Sequence, residues 1–259
     1  MQQATPEEII EMLEGLAEGE EFDTSRVLEF LSHDDPAVRE AAVWALWNGE
    51  LTRIADPLVE RVEHDPDALV QSAAVSVLGR FVYEGLMLEE SSRGTAEARI
   101  VEQVNTYLLE IFHDPQRSEL LRRRALESLA FNPTKEILAT IEEWAGSPDE
   151  MFRKSAAFAM GRVSEARFAA LLLKLLDDPS QRVQIEAIRS IGEQGIRKGT
   201  PRLLALARDG GGEVAWEAVE ALGQVGGTRA IQALQTLSGH DNPELAELAV
   251  AVLRDLKGE

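Results

Sequence analysis

Val183-Gln184-Ile185-Glu186-Ala187-Ile188-Arg189-Ser190-Ile191 and Val214-Ala215-Trp216-Glu217-Ala218-Val219-Glu220-Ala221-Leu222 are one phrase written twice, 31 residues apart. Its last position defines a column down the chain: Leu46, Leu78, Leu129, Met160, Ile191, Leu222 and Leu253. From Leu129 onward the step is 31 residues; the first step is 32 and the second 51. Four positions before each anchor stands alanine in all seven copies: Ala42, Ala74, Ala125, Ala156, Ala187, Ala218 and Ala249. Eight before stands Val38, Val70, Leu121, Phe152, Val183, Val214 or Leu245. A fixed period of this size marks a unit that buries its apolar face only by stacking on its neighbours. Positions −8, −4, −3, −1 and 0 fall in one arc of a helix. The alanine lets adjacent layers approach where a larger side chain would overpack the seam.

Each phrase is the second helix (B) of a hairpin. A shorter, leucine-rich helix A precedes it, carrying pairs such as Leu58 and Val62, Leu172 and Leu176, and Leu203 and Leu206. The A-to-B turns read Asp34-Asp35-Pro36, Asp65-Pro66, Asp114-Pro115, Ser147-Pro148, Asp178-Pro179, Gly210-Gly211-Gly212 and Asn242-Pro243. Asp, Ser and Asn cap helices, and proline suits a first helical turn. Gly79, Gly161, Gly192 and Gly223 follow the anchor and mark close packing or the approach to the end of helix B. The pattern predicts an all-α fold, a right-handed α-α superhelix (solenoid) of about seven hairpins behind an N-terminal capping helix at residues 6–18. It is read as one domain over 1–259: cap 1–23, repeats 1 and 2 at 24–83, an insertion at 84–99, and repeats 3 to 7 at 100–257. The insertion is either a loop or an extension of the flanking helices, and such segments often project on a working face.

Val38-Arg39-Glu40-Ala41-Ala42 after Asp34-Asp35-Pro36, and Ala218-Val219-Glu220-Ala221-Leu222-Gly223, resemble HEAT repeats. More narrowly they are similar to the short bacterial HEAT-like type first associated with phycobilin lyases. The resemblance covers roughly residues 24–257. It implies the fold and says little of the job, because this repeat serves many unrelated proteins.

Composition narrows the function. The formal charge is −20, from 46 acidic and 26 basic residues. Such a field repels nucleic acid and anionic membranes, and favours solubility or basic partners. The chain has no cysteine, so disulfides and thiolate chemistry are excluded, which fits a cytoplasmic protein. The start, Met1-Gln2-Gln3-Ala4-Thr5-Pro6, lacks the pattern of a signal peptide, and no stretch is apolar enough to span a membrane.

No catalytic, cofactor-binding or metal-ligating set is expected. All four histidines precede aspartate: His33-Asp34, His64-Asp65, His113-Asp114 and His240-Asp241. Each pair lies at an A-to-B turn, so the copying of one ancestral turn explains them. Layers stack about 10 Å apart, whereas zinc needs its nitrogens within about 2.1 Å. Deoxyhypusine hydroxylase, a metal enzyme of similar scaffold, carries His-Glu pairs on its B helices. The matching positions here are Ile185-Glu186 and Trp216-Glu217, without histidine, so neither its site nor its reaction transfers. Arg39, Arg122 and Arg153 at position −7 are read as structural partners of turn aspartates.

Opposite the core arc lie positions −9, −6, −5, −2 and +2, the surface that B helices turn to the concave side. Over repeats 2 to 4 this arc sums to +4, inside a molecule of −20. The basic candidates are Arg80, Arg123, Arg124, Lys154 and Arg162. The apolar ones are Leu69, Leu120, Phe131, Met151 and Phe158, with Trp44 and Trp216 flanking the band. Basic groups beside solvent-facing aromatics compose an interface hot spot. A one-residue error in helical phase would turn some of these aromatics inward. The expectation is a non-catalytic scaffold gripping an acidic-aromatic peptide or protein surface there, with the acidic C-terminal repeats taking a basic stretch. The alternative is a chromophore chaperone or lyase, as the phycobilin-lyase resemblance implies. Nucleic-acid binding ranks lower, because a groove of +4 competes with −20 overall.

Overall fold

The computed structural model describes residues 4–18, 23–88, 94–163 and 165–258. Among the described residues the regular structure is entirely helical, and the chain divides into two compact units, Met1–Asn132 and Pro133–Glu259.

Unit 1 begins with α1 (Pro6–Glu18), the expected cap. Thr5 and Glu8 start it with a reciprocal capping box: the Glu8 amide donates to Thr5 Oγ1 and the Thr5 amide to Glu8 Oε2. Three hairpins follow: α2 (Thr24–Glu29) with α3 (Pro36–Ala45), α4 (Leu51–His64) with α5 (Ala68–Met87), and α6 (Ala96–His113) with α7 (Glu119–Leu129). The B helices α3, α5 and α7 pack side by side, and α1 covers the exposed flank of α3. Unit 2 holds four hairpins: α8 (Lys135–Trp144) with α9 (Glu150–Arg162), α10 (Ala166–Leu175) with α11 (Gln181–Glu193), α12 (Thr200–Asp209) with α13 (Gly212–Val225), and α14 (Gly227–Leu237) with α15 (Pro243–Lys257). Here α9, α11, α13 and α15 pack in one continuous row. Seven hairpins and one cap match the expected set.

The columns behave as their chemistry requires. All seven alanines are fully buried, and the anchors from Leu46 to Leu222 are buried with them. Gly79 and Gly161 show why position +1 is small. A Cβ on Gly79 would lie 2.9 Å from Ser128 Cβ of the next B helix, and one on Gly161 would lie 2.9 Å from Ser190 Cβ. Both serines sit at position −1, and each hydroxyl donates back to the preceding B helix: Ser128 to the Val75 carbonyl, Ser190 to the Ala157 carbonyl.

The turns correct one detail. The Asp of Asp65-Pro66 and Asp178-Pro179, like the Ser of Ser147-Pro148, is not the helix cap. It stands earlier and accepts the amide two residues on: Asp67 to Asp65, Asp149 to Ser147, Ser180 to Asp178. The caps proper are Asp35, Asp67, Ser118, Asp149 and Asn242. His33 Nδ1 accepts from the Asp35 amide, and His240 Nδ1 from that of Asn242, so these two histidines substitute for the turn aspartate.

The −7 arginines lock consecutive layers. Arg39 makes a bidentate pair with Asp65 at 2.9 Å and donates to the carbonyls of His33 and Asp34. Arg153 repeats this with Asp178 and the carbonyls of Ser147 and Pro148. Arg122 donates to the Phe112 carbonyl instead. Burial works to raise the Asp65 carboxyl, but hydrogen bonds from Arg39 and the Asp67 amide, with the charges of Arg39 and Arg61, hold it below the ordinary aspartate range. Asp178 is held down against the same burial by Arg153 and the Ser180 amide.

Of the two readings of the 84–99 insertion, helix extension holds at both described ends. α5 runs on to Met87 and α6 starts at Ala96; residues 89–93 lie outside the described residues. The extensions pack where Gly85 of α5 meets Val101 of α6.

Candidate functional site

Unit 1 carries the exposed apolar surface. Of eight large apolar side chains exposed among the described residues, six lie there: Trp44, Trp47, Leu69, Tyr83, Leu86 and Met87. The alternation of the helix explains the last three. On the α5 overhang Phe81 and Val82 are buried, so Tyr83, Leu86 and Met87 point to solvent, Met87 at 61%. Tyr83 stacks edge-on against Phe131 at the end of α7, with ring centroids 5.9 Å apart. On the other flank Arg80 donates to the carbonyls of Trp47 and Gly49 and pairs with Glu84 at 3.2 Å. Trp47, Arg80, Tyr83 and Phe131 thus make one strip along the C-terminal ends of the B helices, and the α5 overhang extends it. Trp44 Nε1 leans on Glu40, and Leu69 is exposed at the other end of α5.

The basic candidates are not what the arc implied. Arg123 is buried at 7% exposure, so it does not turn its charge to solvent. Arg124 pairs with Glu127 at 2.6 Å and donates to Ser72 Oγ. Arg80 is held as just described. Leu120 is half-buried. In unit 2, Arg162 lies over the Phe158 ring at 4.6 Å and pairs with Glu193 at 2.5 Å. Met151 and Lys154 are half-buried. Trp216 is exposed beside Glu217, which pairs with Arg189. Of the net +4 of the band, which already counts Glu127, Arg80 and Arg162 are answered by Glu84 and Glu193, carboxylates that the sum over repeats 2 to 4 leaves out.

Trp47, Tyr83, Leu86 and Met87 were missed by sequence reasoning. Two signals pointed to them: Trp47 stands at +1, where four of the six later units have glycine, and the 51-residue step follows directly on α5.

Charge separates the units further. Residues 1–132 hold 27 acidic and 11 basic side chains, net −16; residues 133–259 hold 19 and 15, net −4. Among the described residues no three His, Asp or Glu side chains converge as a metal site would require, and no helix is long and apolar enough to cross a membrane. Perturbed groups outside the strip are structural in geometry. Tyr107 is pushed up by burial and by its hydrogen bond to Glu63, and Glu63 also holds Arg117 at 2.6 Å, clamping α4 to α6 and the turn after it.

The family model for HEAT repeats matches residues 4–85, 106–181 and 169–254. The chain belongs to the HEAT-repeat family. Its fold is similar to solved HEAT-type structures. The complex of CpcE and CpcF of phycocyanin lyase from Nostoc sp. PCC7120 matches at 17% identity and TM-score 0.51, over 92% of this chain and 96% of that one. A Kap121p mutant matches at 17% identity and TM-score 0.53, over 97% of this chain but only 26% of that one. Human deoxyhypusine hydroxylase matches at 15% identity and TM-score 0.46, over 99% and 92% of the two chains. No curated protein matches the sequence. At these identities the structural matches speak to fold alone, and the HEAT repeat is a scaffold associated with protein interaction.

Proposed function

We propose that this HEAT-repeat protein is a non-catalytic binding scaffold that grips a basic, apolar peptide segment on the B-helix face of unit 1. The observation that carries the reading is the aromatic strip Trp47–Tyr83–Phe131, with its α5 overhang, inside a unit of net charge −16. Exposed aromatics and methionine on a rigid helical row supply hot-spot contacts, and the surrounding field steers cationic partners. The acidic-aromatic peptide expected from sequence loses support, because Arg80, Arg124 and Arg162 already hold carboxylates. In unit 2 the acidic C-terminal residues Glu213, Glu220, Glu244 and Glu247 are exposed on α13 and α15, and the proposal for unit 1 does not draw on them. A cytoplasmic setting belongs to this proposal, supported by a chain free of cysteine.

The phycobilin-lyase reading has the fold likeness behind it and no nucleophile or acid–base pair to add. A change in bilin absorbance on mixing with the protein would favour it. Nucleic-acid binding would show as a salt-sensitive gel shift, which the −20 charge argues against.

The test is selection from a displayed random-peptide library, on wild type and on Trp47→Glu/Tyr83→Glu. Wild type should enrich Lys/Arg-rich sequences punctuated by Leu, Phe or Trp, and the double variant should lose them. Enrichment of acidic sequences, or the same sequences on both proteins, would overturn the reading.

A further inference from the structure

Unit 2 contains a cluster of cations that the HEAT scaffold does not use. A surface cavity of about 320 Å³ is lined by Arg197, Lys198 and Arg229, with Thr200, Thr228 and the backbone of Gly226-Gly227 completing its wall. No carboxylate is among its lining residues. That is unusual for this unit, where arginine ordinarily finds an acid. Arg153 holds Asp178, Arg162 holds Glu193, Arg189 holds Glu217 and Arg202 holds Asp177. Even the exposed Arg208 is paired with Asp209. Arg197 stands in the turn before α12 and Arg229 in the first turn of α14, one unit further on, and both line this cavity. The Arg197 guanidinium lies 3.8 Å from where a Cβ on Gly227 would stand. At the corresponding turns of two other units the chain places acid: Glu50 before α4 and Glu165 before α10. Three like charges line one cavity in a chain of −20, without an ion pair to a carboxylate of the kind that answers the other arginines, and an anion there would meet all three.

We infer that this cavity is a binding site for a phosphoryl group carrying two or more negative charges, a diphosphate or a phosphate monoester. Two guanidiniums can each hold phosphate oxygens bidentately, and Lys198 adds a mobile point charge. The glycine pair, at φ 61° and 80°, keeps side chains away from the amides that begin α14, which has no side-chain cap of its own. The cavity volume exceeds that of a single phosphate, which suits a diphosphate or an esterified one. The site is separate from the aromatic strip of unit 1 and does not depend on its role.

Isothermal titration of the full chain with sodium pyrophosphate tests the site, with inorganic phosphate and sodium chloride at matched ionic strength beside it. A phosphoserine peptide and its unphosphorylated twin form a second arm, which distinguishes a small phosphate from a modified protein as the source. Pyrophosphate should bind saturably with unit stoichiometry. Arg197→Gln/Arg229→Gln should weaken it at least tenfold, and Arg208→Gln should leave it within twofold. Both changes are at exposed side chains, and circular dichroism confirms the fold of each variant. A phosphopeptide that binds more tightly than pyrophosphate, with the same loss in the double variant, assigns the site to a modified protein. Absence of saturable binding by every phosphate probe, or equal binding by the double variant, would overturn the inference.

Discussion

Residues 1–132 and 133–259 are built on the same hairpin, and the parts they share are those that hold layers together. In each, a buried alanine column forms the seam, a glycine at +1 admits a serine at −1, and an arginine at −7 clamps the next turn aspartate. What they do not share is surface. Unit 1 is net −16 and, among the described residues, exposes six large apolar side chains; unit 2 is net −4, exposes Trp216 and Leu256 among its described residues, and gathers three cations around one cavity. Repetition therefore marks structure, and departure from repetition marks where a partner could be recognised.

The comparison breaks first if the clamps are unequal. Arg39→Met strands the buried Asp65, and Arg153→Met strands Asp178; each should lower the unfolding free energy by about 3 kcal/mol. Urea denaturation checks this, and a loss confined to one unit would mean that the two layers are not built alike. Next come the seams. Gly79→Val and Gly161→Val force a side chain against the serine of the following helix and should each cost about 2 kcal/mol by the same measurement.

The difference between the units is sharpened by binding. Tyr83→Glu/Met87→Glu should weaken selected basic-apolar peptides at least tenfold, about 1.4 kcal/mol, while Trp216→Glu in unit 2 changes affinity less than twofold. The smallest effect is in pH. Asp65 and Asp178 have folded values held below their unfolded ones, so their stabilisation is complete above about pH 4 and is lost as pH falls through the folded values. Denaturation midpoints between pH 7 and 3 should fall more steeply for wild type than for Asp65→Asn.

The scaffold was legible because its signals are periodic. The alanine column, the anchors and the −7 arginines each recur often enough to cancel local noise, and every hairpin they predict is present. Exposure along the B helices was less legible, for two physical reasons. A helical arc drawn from one unit ignores its neighbours: Arg123, Ser72, Ala73 and Ser155 all fall on that arc and all are buried, and Ser72 meets Arg124 of the next B helix. It also ends at +2, whereas α5 continues to Met87 and exposes Tyr83, Leu86 and Met87 beyond the arc. Ion pairs such as Arg162 with Glu193 join residues a full repeat apart, so the charge of the band could not be summed from the arc alone.

The four tryptophans offer the most direct test, since Trp44 and Trp47 belong to unit 1 and Trp144 and Trp216 to unit 2. A tryptophan-free basic peptide from the selection is titrated into Trp144→Phe/Trp216→Phe and into Trp44→Phe/Trp47→Phe, and emission is followed. A saturable shift in the first protein, with little or none in the second, is the predicted result. A shift confined to the protein that keeps Trp144 and Trp216 would contradict the assignment of the binding face to unit 1.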